Sequence, residues 1–224
     1  MKTYKKTVYL TLALAVPVFL ILFFISFASS RHTLPVYFAY DSTKTDKGYV
    51  ITEAAVIPDF QLTDQSGLIF NSTSQEGKIK VYDFIFTRCQ DICPKMTSQL
   101  VRVQEAFKGD SDVVLMSLTV DPRHDSTDVL MSYANRFNAI KGKWYFLTGP
   151  KDSIYTLGQR HFYLTAKQNE KDLTDFLHSE KVVLVDKNGW IRGYYTGTDE
   201  KEIDRLITEV KVLQKIERDG QRQH

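Results

Sequence analysis

A β-rich run, Lys80-Val81-Tyr82-Asp83-Phe84-Ile85-Phe86, leads through Thr87-Arg88 into Cys89-Gln90-Asp91-Ile92-Cys93-Pro94. Branched and aromatic side chains in such density favour a strand. Met96, Leu100, Val103 and Phe107 then recur at helical spacing, and Pro94 suits the first turn, where a missing N–H is no loss. The pattern places the chain's only two cysteines at the start of a helix that follows a central strand. Residues four apart on a helix share a face. Backbone N–H groups at that end favour thiolate, the form that attacks disulfides and binds metal. By themselves, two cysteines so spaced are a structural disulfide, a redox pair or metal ligands. So short a loop restrains little unfolded-chain entropy, which weakens the purely structural reading.

The rest of the chain supplies the layers around that junction. Residues 113–120 read as a second strand, and Asp125 or Ser126 caps a helix whose apolar face is Leu130, Tyr133, Ala134 and Phe137. Residues 144–147 form a short strand, and Pro150 opens a helix carrying Ile154 and Leu157. Residues 182–185 and 190–195 pair about Asn188-Gly189, a strong hairpin signal. Thr198 is expected to cap a last helix, buried through Ile203, Leu206, Ile207, Val210 and Leu213 and ended by Gly220. Upstream, Asp64-Gln65-Ser66-Gly67 reads as a turn between two short strands. Strands alternating with helices imply a partly parallel sheet covered on both faces. The order, with cysteines at the first helix start, predicts a thioredoxin-like three-layer α/β/α domain with an N-terminal β-hairpin.

Residues 7–30 carry no charge and follow Lys2, Lys5 and Lys6. Roughly 20 apolar residues in a helix cross the hydrocarbon layer, and the preceding lysines hold the amino terminus in the cytoplasm. A cleaved signal peptide is the rival, since Ala28-Ser29-Ser30 offers small residues, but its apolar core is usually shorter. The expected division is 1–30 cytoplasmic stub and transmembrane anchor, 31–55 extracytoplasmic tether, 56–217 the folded domain and 218–224 a tail. With no Arg-rich presequence, the membrane expected is the bacterial cytoplasmic (inner) one, crossed once, with the domain on the periplasmic side. Beyond the lysines the charge is close to neutral, so the basic face of a nucleic-acid binder is missing.

The stretch Phe84-Ile85-Phe86-Thr87-Arg88-Cys89-Gln90-Asp91-Ile92-Cys93-Pro94 resembles the signature of the Sco/SenC family. The likeness continues through Ile57-Pro58-Asp59-Phe60, through Leu118-Thr119-Val120-Asp121-Pro122, and through His178 followed by Val183-Leu184-Val185-Asp186-Lys187-Asn188-Gly189. It implies a membrane-tethered protein of cytochrome c oxidase assembly that binds one copper ion, as Cu(I) or Cu(II), through Cys89, Cys93 and His178. Its implied partner is oxidase subunit II, whose CuA centre receives the copper or whose cysteines are kept reduced. Other copper chaperones or thiol reductants would be further partners. Asp91 matches the family's usual acidic residue between the cysteines and is expected to shape the loop or tune the thiolates.

Of the five histidines, His178 stands four residues before the strand at Val182, whose amino-terminal edge faces the cysteine loop in a thioredoxin topology. No proline follows Pro150, so the cis-proline of ordinary dithiol oxidoreductases is absent there; an imidazole near that point argues for metal, since it suits copper. His124 is expected to decorate a helix start, with proton or copper transfer as the lesser reading. His161 and His224 are read as surface or core residues, and His32 stands too near the anchor to judge. Asp83 departs from the apolar pattern of its strand; a buried unpaired carboxylate is costly, so it faces solvent at an edge or modulates Cys89 or Cys93. Arg88 stabilises a thiolate, steers an acidic partner or is simply solvated. Two functions follow: a copper metallochaperone, and a thiol-disulfide reductase whose redox-active pair is Cys89 and Cys93. A copper or redox sensor would use the same residues.

Overall fold

The computed structural model describes residues 13, 15–23, 34–45, 48–164 and 180–221. Residues 1–33 and 34–224 are separate compact units. In the first, residues 15–23 are helical, with Phe19, Leu22 and Phe23 exposed. Among the described residues no helix is long and apolar enough to cross a membrane, and much of the span expected over 7–30 lies outside them.

The second unit is organised by one seven-stranded sheet. Its strands are β3 (Gln61–Asp64), β4 (Ile69–Asn71), β5 (Ile79–Ile85), β6 (Val113–Thr119), β7 (Trp144–Thr148), β8 (Lys181–Val185) and β9 (Ile191–Thr196), in the order β4-β3-β7-β6-β5-β8-β9. β5, β6 and β7 are parallel; β8 returns antiparallel beside β5. All seven residues of β5 are buried, as a strand covered on both faces requires. Its side chains alternate between two cores. Ile79, Val81 and Ile85 meet α1 (Ile92–Ala106), α2 (Thr127–Arg136) and α4 (Glu200–Gln221) through Met96, Leu100, Leu130, Ile203 and Leu206. Tyr82 and Phe84 face Ile154, Leu157 and Phe162 from α3 (Lys151–Thr156) and the π-helical turn after it. The steps from β5 to β6 and from β6 to β7 run the same way across the sheet. Right-handed crossovers therefore put α1 and α2 on one face.

Several local expectations change. The stretch expected as a tether carries a two-stranded ribbon, β1 (Ala39–Thr45) with β2 (Gly48–Ala54). Its leading segment is fastened to β9: Tyr37 N–H donates to Ile191 O at 2.9 Å, and Arg192 donates to the carbonyls of Leu34 and Pro35, both at 2.8 Å. Residues 39–43 of β1 are all exposed, so that stretch has no alternation to show in sequence. Ser126, not Asp125, caps α2 by accepting from Val129 N–H. At α4 it is Asp199 that accepts from Lys201 N–H, while Thr198 turns to Glu180. Gly220 lies inside the last turn of α4 rather than after it.

Gly197 shows how closely the cysteine helix is packed. A Cβ there would stand 2.9 Å from Val182 Cγ2 and 3.0 Å from Met96 Cγ, whereas one at Gly109 meets nothing within 4 Å. Gly197→Ala is expected to destabilise the domain by about 1–3 kcal/mol and Gly109→Ala to leave it within about 0.5 kcal/mol. Urea unfolding of the two variants checks this, and equal effects would refute it.

Candidate metal and thiol site

β5 delivers the chain to its carboxy-terminal end, where Cys89 N–H donates back to Phe86 O at 3.1 Å and tightens the turn into α1. Asp91, the residue before the helix, makes no side-chain cap. Its carboxylate instead meets Lys95 Nζ at 2.6 Å in the open. The orphan N–H groups of the first turn are thereby left to the Cys89 sulfur, and Cys93 N–H donates to Cys89 Sγ at 3.3 Å. Both cysteines are free thiols.

The two sulfurs are unequal. Partial burial alone would raise the Cys89 thiol. The backbone N–H groups of Cys93, Asp91 and Ile92, with the Cys93 thiol, outweigh it and hold Cys89 below the ordinary thiol value. Cys93 is 4% exposed and belongs to the core between α1 and the sheet. Burial pushes its thiol far above the usual range, partly offset by the Phe86 backbone, and negative charge on Cys89 or Asp83 raises it further.

Asp83 does not face solvent. It points to the α1 side of β5, 1% exposed, where Oδ1 accepts from Ser117 Oγ at 2.5 Å while Oδ2 has no partner. Ser117 Oγ accepts in turn from Trp144 Nε1 at 2.9 Å. Burial raises the Asp83 carboxyl to about 7, against the lowering by Ser117. Tyr133 closes the same layer: its hydroxyl meets Thr97 Oγ1, which donates to Cys93 O.

A polar cluster borders the loop on its other flank. Arg88, its side chain still largely exposed, pairs with Asp121 through Nε and Nη2. Asp125 is wholly buried and accepts from Thr87 N–H at 3.1 Å, Thr87 Oγ1 at 2.5 Å and Thr119 Oγ1. Its Oδ1 also meets His124 Nδ1 at 2.9 Å. Sequence reasoning took Asp125 only as a cap candidate. The signal was there: with Ser126 able to cap, a second capping residue beside it was free for tertiary use.

His178 lies outside the described residues, as do His32 and His224. The register of β8, with Val183 opposite Tyr82, brings the chain into that strand at the same sheet end as the cysteine loop. Among the described residues no three His, Cys, Asp or Glu side chains gather as a metal cage. Two soft sulfurs one helical turn apart nonetheless fit a soft ion such as copper(I), with the remaining donor supplied from elsewhere. Two clefts lie away from the cysteines. One of about 330 Å³, lined by Ile57, Asp59, Lys80 and Lys187, opens at the other end of β5, and one of about 430 Å³ lies by Asp152 and His161. Cys89 is half-buried in the loop before α1, and Cys93 lies beneath it in the first turn of the helix.

A family model for SCO1/SenC matches residues 50–214. The SCO1 protein homolog of Bacillus subtilis is 30% identical over 157 residues, 69% of this chain and 81% of its own. The structure of BsSco, a member of the Sco family of cytochrome c oxidase assembly proteins with a disulfide switch, superposes with a TM-score of 0.61. It has 30% identity and covers 70% of this chain and 92% of its own. The crystal structure of Arabidopsis thaliana ScoI with copper bound has a TM-score of 0.58 and 26% identity, covering 72% of this chain and 99% of that one. The thioredoxin-like fold, the paired cysteines at the first helix and the matched span together show that the chain belongs to the SCO1/SenC family.

Proposed function

We propose that this protein is a membrane-anchored copper metallochaperone that holds one copper ion through Cys89, Cys93 and His178 and assists assembly of the CuA centre in cytochrome c oxidase subunit II. The observation that carries the reading is the pair of sulfurs at the start of α1, Cys89 half-buried in the loop with its thiol lowered by helix N–H groups and Cys93 buried one turn further in, in a chain of a family with a copper-bound member. His178 stands three positions before Lys181 in the sequence, and the strand that Lys181 opens begins at the cysteine end of the sheet. The chain's own residues do simple work. Backbone N–H groups favour the thiolate of Cys89, Arg88 and Asp121 brace the loop, and the partly exposed Cys89 lets an acceptor's ligands replace these one at a time. The apolar run over 7–30 supplies the anchor in this reading, with the domain on the extracytoplasmic side.

The inequality of the thiols favours one second reading, a thiol-disulfide reductase. Cys89 thiolate attacks a partner disulfide, forming a mixed disulfide and releasing one partner thiolate. Cys93, on losing its proton, attacks the Cys89 sulfur and releases the second. The partner gains two electrons and the pair ends as a disulfide.

Copper stoichiometry separates the two. Full-length protein in detergent, reduced and loaded without oxygen, is expected to hold one copper per chain and His178→Ala to lose it, while His178→Ala still reduces a model disulfide. Absence of specific copper binding, or retention indifferent to His178, would turn the reading to the reductase.

A further inference from the structure

His124 is 42% exposed, yet its ring is not free to turn. Nδ1 is held at 2.9 Å by Asp125 Oδ1, and that carboxylate is 0% exposed and gripped by Thr87 and Thr119. Every other group touching the Asp125 oxygens is a donor, so it is the acceptor and His124 Nδ1 the N–H. In the neutral ring that leaves Nε2 with its lone pair outward. A carboxylate fixing the far nitrogen of an imidazole is the arrangement that orients metal-binding histidines. The position is equally specific. Thr87, whose Oγ1 stands 3.5 Å from His124 Nδ1, is two residues before Cys89, a Cα separation of at most about 7 Å. The ring therefore borders the loop that presents the sulfurs. It does not complete a cage with them at rest, since the two cysteines and His124 do not gather as a metal-binding group.

We propose that His124 is a transient copper ligand, the imidazole through which the ion enters and leaves the Cys89–Cys93 site. This rests on the copper reading above. On entry, His124 Nε2 replaces one ligand of the incoming complex. Cys89 Sγ then displaces a second, any thiol proton passing to solvent, and His124 lets go as the remaining protein donors bind. Departure reverses these exchanges. No electron moves, and the ion keeps its charge throughout.

The test is the rate of copper(I) exchange between full-length reduced protein in detergent and a coloured bidentate chelator, followed in both directions. His124→Asn is the informative variant, because its amide N–H can still donate to Asp125 while nothing remains at the Nε2 position. Loading and removal are both expected to slow by about tenfold or more, the equilibrium constant staying within about threefold. Millimolar imidazole is expected to restore both rates. Unchanged rates in His124→Asn, beside a wild type that loads normally, would overturn this inference alone. A large fall in equilibrium affinity would also overturn it, making His124 a resident ligand. A wild type that takes up no copper would overturn the underlying reading and this one with it.

Discussion

Iodoacetamide added to the reduced protein near neutral pH alkylates Cys89 at least about a hundredfold faster than Cys93. The expectation comes from one helical turn of geometry. Cys89 Sγ lies at the mouth of the helix, where Cys93 N–H reaches it at 3.3 Å and the N–H groups of Asp91 and Ile92 add to the pull. Negative charge on that sulfur is met by fixed dipoles that need no reorganisation. Cys93 is the next turn in, 4% exposed among Met96, Leu100 and Ile85, where burial raises its thiol and a charged Cys89 raises it again. Thiolate fraction, which falls up to tenfold for each unit by which a thiol's pKa is raised, and access therefore act in the same direction. Peptide mapping of a timed alkylation reads both rates in one sample. Comparable rates would show that the loop opens in solution and that the inequality is not a property of the native fold. The inequality matters for either function: it names Cys89 as the first sulfur to meet an incoming ion or a partner disulfide, and Cys93 as the second.

The other large effect concerns Asp83. Its carboxyl is raised to about 7 by burial, from an ordinary value of 3.8. The folded protein thus keeps a proton that the unfolded chain gives up. A raised pKa contributes stability that is whole below the unfolded value and is lost as pH climbs, here from just under 4 until a little above 7. Asp83→Asn removes the titration. It keeps an acceptor for Ser117 Oγ and exchanges the partnerless Oδ2 for a partnerless amide nitrogen. The variant should match wild type near pH 4 and exceed it progressively above. Between pH 5 and pH 8 the gap should widen by about 2–3 kcal/mol, at ~1.4 kcal/mol for each pH unit. Urea unfolding of both proteins across that range reads the effect, and a pH-independent gap would show that Asp83 is solvated.

What could be read before any fold was drawn is what local chemistry dictates. The run through β5 into Cys89 and Cys93 announced itself because a strand buried on both faces must be apolar throughout, and a helix that covers it must repeat Met96, Leu100 and Val103. Asn188-Gly189 marked its hairpin because a positive φ, here +82° at Gly189, restricts the residue choice. The cysteine pair was legible for the same reason, being carried on one turn of helix. The ribbon β1–β2 was not, since residues 39–43 of its first strand are all exposed and leave no period to detect. Neither was the setting of Asp83, whose depth depends on Ser117 and Trp144 arriving from β6 and β7. Thr87, Thr119, His124 and Asp125 are scattered over nearly forty residues and become one cluster only when β5 and β6 lie parallel with their ends aligned. Sequence alone therefore determined the strands and covering helices of the main sheet and which sulfurs share a turn, because those follow from neighbours along the chain. Tertiary structure decided how deeply Cys93 is buried and which imidazole is fixed beside the loop, because the core around Cys93 and the hydrogen bonds between Asp125 and Thr87 join residues distant in sequence.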